Sequence, residues 1–118
     1  MTYIDGFLAP VRAGTTREAY ADFAEKAAPI FREHGATRVV EGWGDDIPDG
    51  KVTDFRRAVL ATEGETVVFS WIEWPDKVTR EAGMKKVMED PRMQPGAEAM
   101  PFDGKRLIFG GFTAIVDA

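Results

Sequence analysis

The spacing of hydrophobic residues predicts a strand followed by a helix at the start of the chain. Bulky side chains alternate with small or polar ones over residues 2–11, as is typical of a β-strand. Apolar residues then recur at the period of a helix with one buried face; they are Tyr20, Phe23, Ala24, Ala27, Ile30 and Phe31. Thr15 and Glu18 form a capping box that predicts the start of this helix, and Gly35 predicts its end.

Further strands are predicted in the rest of the chain. Residues 36–43 predict one strand, and residues 54–74 predict two that are hinged at Glu63 and Gly64. Residues 105–116 predict the last strand, in which two adjacent glycines indicate a bulge or a close approach of another backbone.

A second helix is predicted between these strands. It begins after Asp76 and ends near Asp90, because Pro91 disfavours helical geometry in the residue before it. An irregular connector follows at residues 93–104. The order of strand, helix, strands, helix and strand is that of a ferredoxin-like α+β domain, with an antiparallel sheet, two helices on one face and one strand extra. We expect a single domain over residues 1–118.

The strand that begins at Thr66 is apolar on both of its faces. One face carries Val67, Phe69, Trp71 and Glu73, and the other carries Val68, Ser70, Ile72 and Trp74. Two helices can cover only one face of a sheet, and leaving a large aromatic in water forfeits about 1.5–3 kcal/mol of burial. We therefore predict a homodimer with sheets packed face to face. A loop or the C-terminal tail over that face is the alternative.

Composition and charge exclude several classes of function. The 118 residues carry a formal net charge of -5, so the clustered cations that bind a nucleic-acid backbone are missing and no nucleic-acid partner is expected. With no cysteine and one histidine, no metal site is expected, and no pattern requires a cofactor. The absence of a recognisable targeting or membrane-spanning segment predicts a cytoplasmic protein with no membrane partner.

Four ionisable residues alternate with apolar neighbours in the predicted strands. They are Asp5, Glu41, Arg57 and Glu73. Buried charges are costly unless paired, so we expect these residues to meet one another. Glu41 or Glu73 is then the candidate acid or base, and Arg57 the candidate group that holds an anion. The alternative is a set of strand-end charges in solvent, or an ion pair that stabilises a dimer.

Two other polar features have simpler interpretations. The acidic segment at residues 45–54 interrupts the ligand spacing of a calcium loop and predicts a solvated turn, which could also cover a pocket. His34 lies at the end of the first predicted helix, where an imidazole can cap the last carbonyl groups.

Several segments resemble one family. "DGFLAPV", "AAPIFREHGATRVVEGWGDDIPDGKVTDFRRAV", "VVFSWIEWP", "DPRM" and "MPFDGKRLIFGGF" resemble the YbaA-like bacterial proteins, a family of unknown function, nearly from end to end. The resemblance implies a dimeric alpha-beta barrel, a ferredoxin-like superfamily that includes small cofactor-independent monooxygenases and haem-degrading enzymes. It supplies no established activity or catalytic residue.

Two functional hypotheses follow. The first is a homodimer that binds a small molecule in or beside the barrel, either as a binding protein or as a cofactor-independent enzyme, with a pocket lined by Trp43, Phe55, Arg57, Trp71 and Glu73. The second is a non-catalytic structural or interaction dimer with no ligand, in which the same residues pair and fill space. A closed cavity that meets these side chains separates the two hypotheses.

Overall fold

The computed structural model describes residues 1–94 and 100–118. Its elements, in chain order, are β1 (Tyr3–Val11), α1 (Arg17–Glu33), β2 (Arg38–Trp43), α2 (Phe55–Ala58), β3 (Thr66–Trp74), α3 (Lys77–Glu89), a 3-10 turn (Pro91–Met93) and β4 (Ile108–Thr113). Five residues of the connector predicted at 93–104, residues 95–99, lie outside the described part.

The strands form one antiparallel sheet in the order β2-β3-β1-β4. The long helices α1 and α3 lie side by side against one face of it. The α+β, ferredoxin-like architecture predicted from the sequence is confirmed. The extra strand is not found in the described residues, because its place in the chain is taken by a helical turn.

That turn, α2, lies where the first of two strands was predicted within residues 54–74, so the prediction of that strand is wrong. The Asp54 carboxylate accepts the backbone N–H of Arg57 at 2.8 Å and thereby caps a single helical turn. Leu60 then reverses the chain with a positive φ of 52°. An N-cap carboxylate satisfies backbone donors locally, so it outweighs the alternation of apolar residues that indicates a strand.

The ends of the long helices lie close to their predicted places. α1 is capped by Thr16, whose hydroxyl accepts the N–H of Ala19 at 3.0 Å, so the capping box predicted at Thr15 and Glu18 is wrong by one residue. The end of α1 is marked by Gly35 with a φ of 113°, as expected of a glycine after a helix. α3 is capped by Asp76, as predicted.

A close contact sets the distance between α3 and the end of α1. A Cβ added at Gly83 would lie 2.5 Å from the Trp74 ring and closer still to the carbonyl oxygen of His34. Trp74 is fully buried there. Only a glycine permits this approach.

The two faces of β3 differ as its alternation predicts. Val68, Ser70, Ile72 and Trp74 are buried beneath the helices. Buried beside them, Asp5 accepts hydrogen bonds from the Trp74 indole at 2.9 Å and from the Arg80 guanidinium at 2.7 Å, which fastens α3 to the sheet.

The opposite face of the sheet, here called the open face, is apolar and uncovered. Phe69 is 48% exposed and Phe112 is 61% exposed. The Phe112 ring packs over Gly6 and Gly110, where an added Cβ would lie 3.6 Å from it, in ordinary contact. The last strand is shorter than predicted, and the residues after it, including Ile115, are exposed, so the C-terminal tail does not cover this face.

Candidate functional site

A cavity of about 150 Å³ lies between α1 and the helix-facing side of the sheet. Aliphatic and aromatic side chains make up nearly all of its wall. Among the described residues the exceptions are three polar side chains, those of Tyr20, Glu41 and Ser70. They come from α1, β2 and β3, so the site exists only when all three elements are packed together.

Glu41 projects from the middle of β2 into this cavity. Its cross-strand neighbour on β3 is Ser70. As a whole residue Glu41 is exposed, because the cavity is open to water, and its carboxylate is only partly enclosed by Tyr20 and Ser70. Burial raises the pKa of Glu41, and hydrogen bonds from Tyr20 and Ser70 oppose that rise only in part.

Tyr20 is the main partner of this carboxylate. Its hydroxyl lies 3.3 and 3.2 Å from the two oxygens of Glu41, and the residue is 5% exposed. Burial raises the pKa of Tyr20 well above its usual range, and the negative charge of Glu41 adds to the effect. The phenol therefore stays protonated and donates its hydrogen bond to the carboxylate.

The residues predicted to line one pocket lie in different places. Trp43 packs beside Tyr20 with ring centroids 5.9 Å apart. Phe55 and Trp71 flank Phe69 on the open face, with centroid distances of 6.1 and 5.9 Å. The sheet separates the Tyr20–Trp43 contact from this aromatic group, although Trp43 and Phe55 both border a depression at the end of β2.

The prediction that the four ionisable residues meet is wrong, because each of them pairs with a different neighbour. Asp5 pairs with Arg80 under α3. Arg57 donates to Asp54, Val52 and the carbonyl oxygen of Gly50, and so braces its own loop.

Glu73 lies on the open face. It accepts the Trp71 indole N–H at 2.9 Å and lies 3.5 Å from Arg38. Glu41, on β2, faces the cavity instead. The two candidate acids are therefore on opposite sides of the sheet and cannot share a reaction centre.

A second cluster of charges joins the ends of α1 and α3. Asp90 accepts from Arg92 at 2.7 Å, and His34 lies 3.1 Å from it. These contacts, chiefly the hydrogen bond from Arg92, hold the pKa of Asp90 well below its usual range. His34 is the C-cap of α1, the position in which its sequence context placed it, and Asp90 ties it to the residues after α3.

Sequence reasoning missed Tyr20 as a functional residue. The helical period on α1 marked it only as part of a buried face, and no local signal indicates which strand residue it meets 21 positions further along the chain. Across residues 1–94 and 100–118, no group of three His, Cys, Asp or Glu residues could hold a metal ion. None of the helices in that part of the chain is long and apolar enough to cross a membrane.

The chain is similar to a protein family, to curated relatives and to a solved structure. A family model described as "Protein of unknown function (DUF1428)" matches residues 2–104. The uncharacterized protein YbaA of Escherichia coli is 58% identical over 117 residues, which cover 99% of each chain, and that of Shigella flexneri matches equally well. The resemblance to YbaA-like proteins is thereby confirmed.

Among solved structures, a mutant of SnoaB, a cofactor-independent oxygenase from Streptomyces nogalater, aligns with a TM-score of 0.58. The alignment covers 98% of this chain and 95% of SnoaB at 13% identity. At that identity the likeness establishes the fold alone, which is of the dimeric alpha-beta barrel class.

Proposed function

This chain belongs to the DUF1428 family of proteins of unknown function, and from that premise we propose that it is a homodimer that binds a small, mostly apolar molecule in the cavity under α1. Glu41 is the proton acceptor for that molecule, a role that needs no cofactor. The observation that carries this proposal is a carboxylate of raised pKa inside an apolar, water-accessible cavity.

The hydrogen-bond partners of Glu41 differ from those of three acids that pair with arginine. Asp5, Asp90 and Glu65 each accept from an arginine, at 2.7, 2.7 and 2.6 Å. The partners of Glu41 among the described residues are neutral hydroxyl groups. A carboxylate with a purely structural role is normally given a cation, because burying an unpaired charge is costly. A bound molecule that interacts with the carboxylate would account for the absence of a cationic side chain.

The homodimer is supported by the open face. The fold class of the chain includes face-to-face dimers, and a second copy would bury the exposed parts of Phe69, Ile108 and Phe112. In this proposal Trp71 and Glu73 belong to the interface, and Phe55 lies at its margin. Arg57 holds the loop that carries Phe55.

The same open face favours a second candidate function, a non-catalytic interaction dimer. That function accounts for the exposed aromatic residues, but it gives no reason for an unpaired carboxylate beside a cavity. The two candidates differ in one measurable property, which is whether the cavity is occupied.

Native mass spectrometry of gently purified protein tests the proposal directly. We expect a dimer that carries an adduct of defined mass. Ala27→Leu, which adds a side chain to the cavity wall, should lose the adduct, and Ala19→Leu on the exposed side of α1 should keep it. A dimer with no adduct, and no binding of benzene by the wild-type protein in NMR titrations, would contradict the ligand site. A monomer at all concentrations would contradict the dimer.

A further inference from the structure

The cavity has a distinct combination of charge and aromatic surface. Its lining includes five aromatic rings, those of Phe7, Tyr20, Phe23, Phe31 and Phe102, and one acidic side chain, Glu41. No basic side chain is among the described lining residues, and residues 95–99 contain none. We infer that the cavity binds a small organic monocation, an amine with an apolar body. This inference rests on the proposed function, because it uses the same cavity.

Electrostatics favours a cation over an anion in this cavity. Opposite charges in contact attract more strongly where protein replaces part of the surrounding water, because the local dielectric constant is lower. An ammonium group would be the counterion that the protein gives to Asp5 and Asp90 but not to Glu41. A carboxylate or phosphate group would meet repulsion and find no arginine or lysine in the described wall.

Two basic side chains lie near the cavity but are not among its described lining residues. Lys26 and Arg92 line a neighbouring depression that shares four lining residues with the cavity. Arg92 is held there by Asp90 at 2.7 Å and by Glu33 at 2.6 Å. The charge of Arg92 is thus balanced by two carboxylates, whereas the described lining of the cavity gives Glu41 no cation.

The aromatic rings add to the preference for a cation. Phe23 lies at 44° to Tyr20 with centroids 6.2 Å apart, and at 75° to Phe102 with centroids 6.1 Å apart. Rings inclined to one another present faces in several directions, and a cation against such a face is attracted by the negative charge of the ring face. Neutral and cationic ligands share the hydrophobic gain, but only the cation receives this increment.

The volume limits the size of the ligand. An apolar protein cavity of about 150 Å³ is large enough for benzene, and the cavity here has about that volume. One ring with a one-carbon ammonium arm therefore matches the space. Benzylamine, benzyl alcohol and benzoate form a matched series that differs chiefly in charge.

NMR titration of the full-length protein with these three compounds tests the inference. We expect benzylamine to bind about tenfold more tightly than benzyl alcohol, or better, and benzoate to bind more weakly than either. Glu41→Gln should reduce the preference for benzylamine to less than about twofold. Glu63→Gln, which removes an exposed carboxylate elsewhere, should leave the preference unchanged.

The possible outcomes separate this inference from the proposed function. If benzyl alcohol shifts the resonances of Tyr20 and Ser70 with equal or higher affinity than benzylamine, the cavity binds neutral molecules and the inference is wrong, while the proposed function stands. If none of the three compounds shifts these resonances, both are wrong. If benzylamine binds equally well to Glu41→Gln, the preference arises elsewhere and the inference is also wrong.

Discussion

Replacement of Phe112 by alanine should weaken the proposed dimer strongly. The ring lies on the open face and is 61% exposed in the protomer. Full burial of a phenylalanine is worth about 1.5–3 kcal/mol, so covering the remaining exposed part is worth about 1–2 kcal/mol for each ring. A symmetric interface contains the residue twice. The loss is therefore about 2–4 kcal/mol for the dimer, or roughly 30-fold to 1000-fold in its dissociation constant.

Sedimentation equilibrium over a range of protein concentrations measures this change. Met88 offers a matched control, because it is also exposed, at 71%, but lies on α3 away from the open face. Met88→Ala should leave the dissociation constant within about twofold of the wild-type value. The two variants should keep their helical circular dichroism, so that loss of the dimer is not confused with unfolding. A dissociation constant for Phe112→Ala equal to that of the wild type would refute the assignment of the open face.

Three further predictions concern stability, measured as urea unfolding midpoints. Burial raises the pKa of Glu41, so the folded state gains stability below the ordinary carboxyl pKa and loses it as the pH rises through the raised value. Glu41→Gln should therefore be more stable than wild type at neutral pH and lose this advantage in acid. Equal midpoints at neutral pH would contradict the raised pKa of Glu41. Gly83→Ala should lower the free energy of unfolding by about 1–3 kcal/mol through overpacking, although alanine favours helices. Gly104→Ala, with nothing within 4 Å of the added Cβ, should change the free energy of unfolding little. A stabilised Gly83→Ala variant would refute the close contact. Asp5→Asn should lower the free energy of unfolding by about 3 kcal/mol, because the partly buried guanidinium of Arg80 then has no carboxylate beside it. A loss below about 1 kcal/mol would show that this ion pair contributes little to stability.

Much of the fold could be predicted because the strongest signals are periodic and local. The alternation in β3 correctly separated Ile72 and Trp74, which face the helices, from Phe69 on the open face. The segment that follows Asp54 was assigned wrongly. Four residues are too few for a helical period to show, and a carboxylate that caps a turn resembles any other loop aspartate in the sequence.

The candidate site could be predicted only in part. Alternation placed Glu41 among apolar residues of one strand, and the structure puts it there. The same reasoning could not tell that Glu73 projects from the other side of the sheet, because the relative phase of two strands depends on their register. Tyr20 was missed for a related reason, since its contact with Glu41 joins a helix to a strand.

The alternation of β3 has a consequence for how this sequence can vary over evolutionary time. Ser70 borders the cavity, and Trp71, the next residue, lies on the opposite face of the sheet. If both proposed roles hold, successive positions of one strand are under two separate selective constraints, ligand binding on one face and dimer formation on the other. A shift of that strand by a single residue would exchange the two sets of side chains and lose both functions together. We therefore expect insertions and deletions among relatives to fall in the loop after β2 rather than within β3.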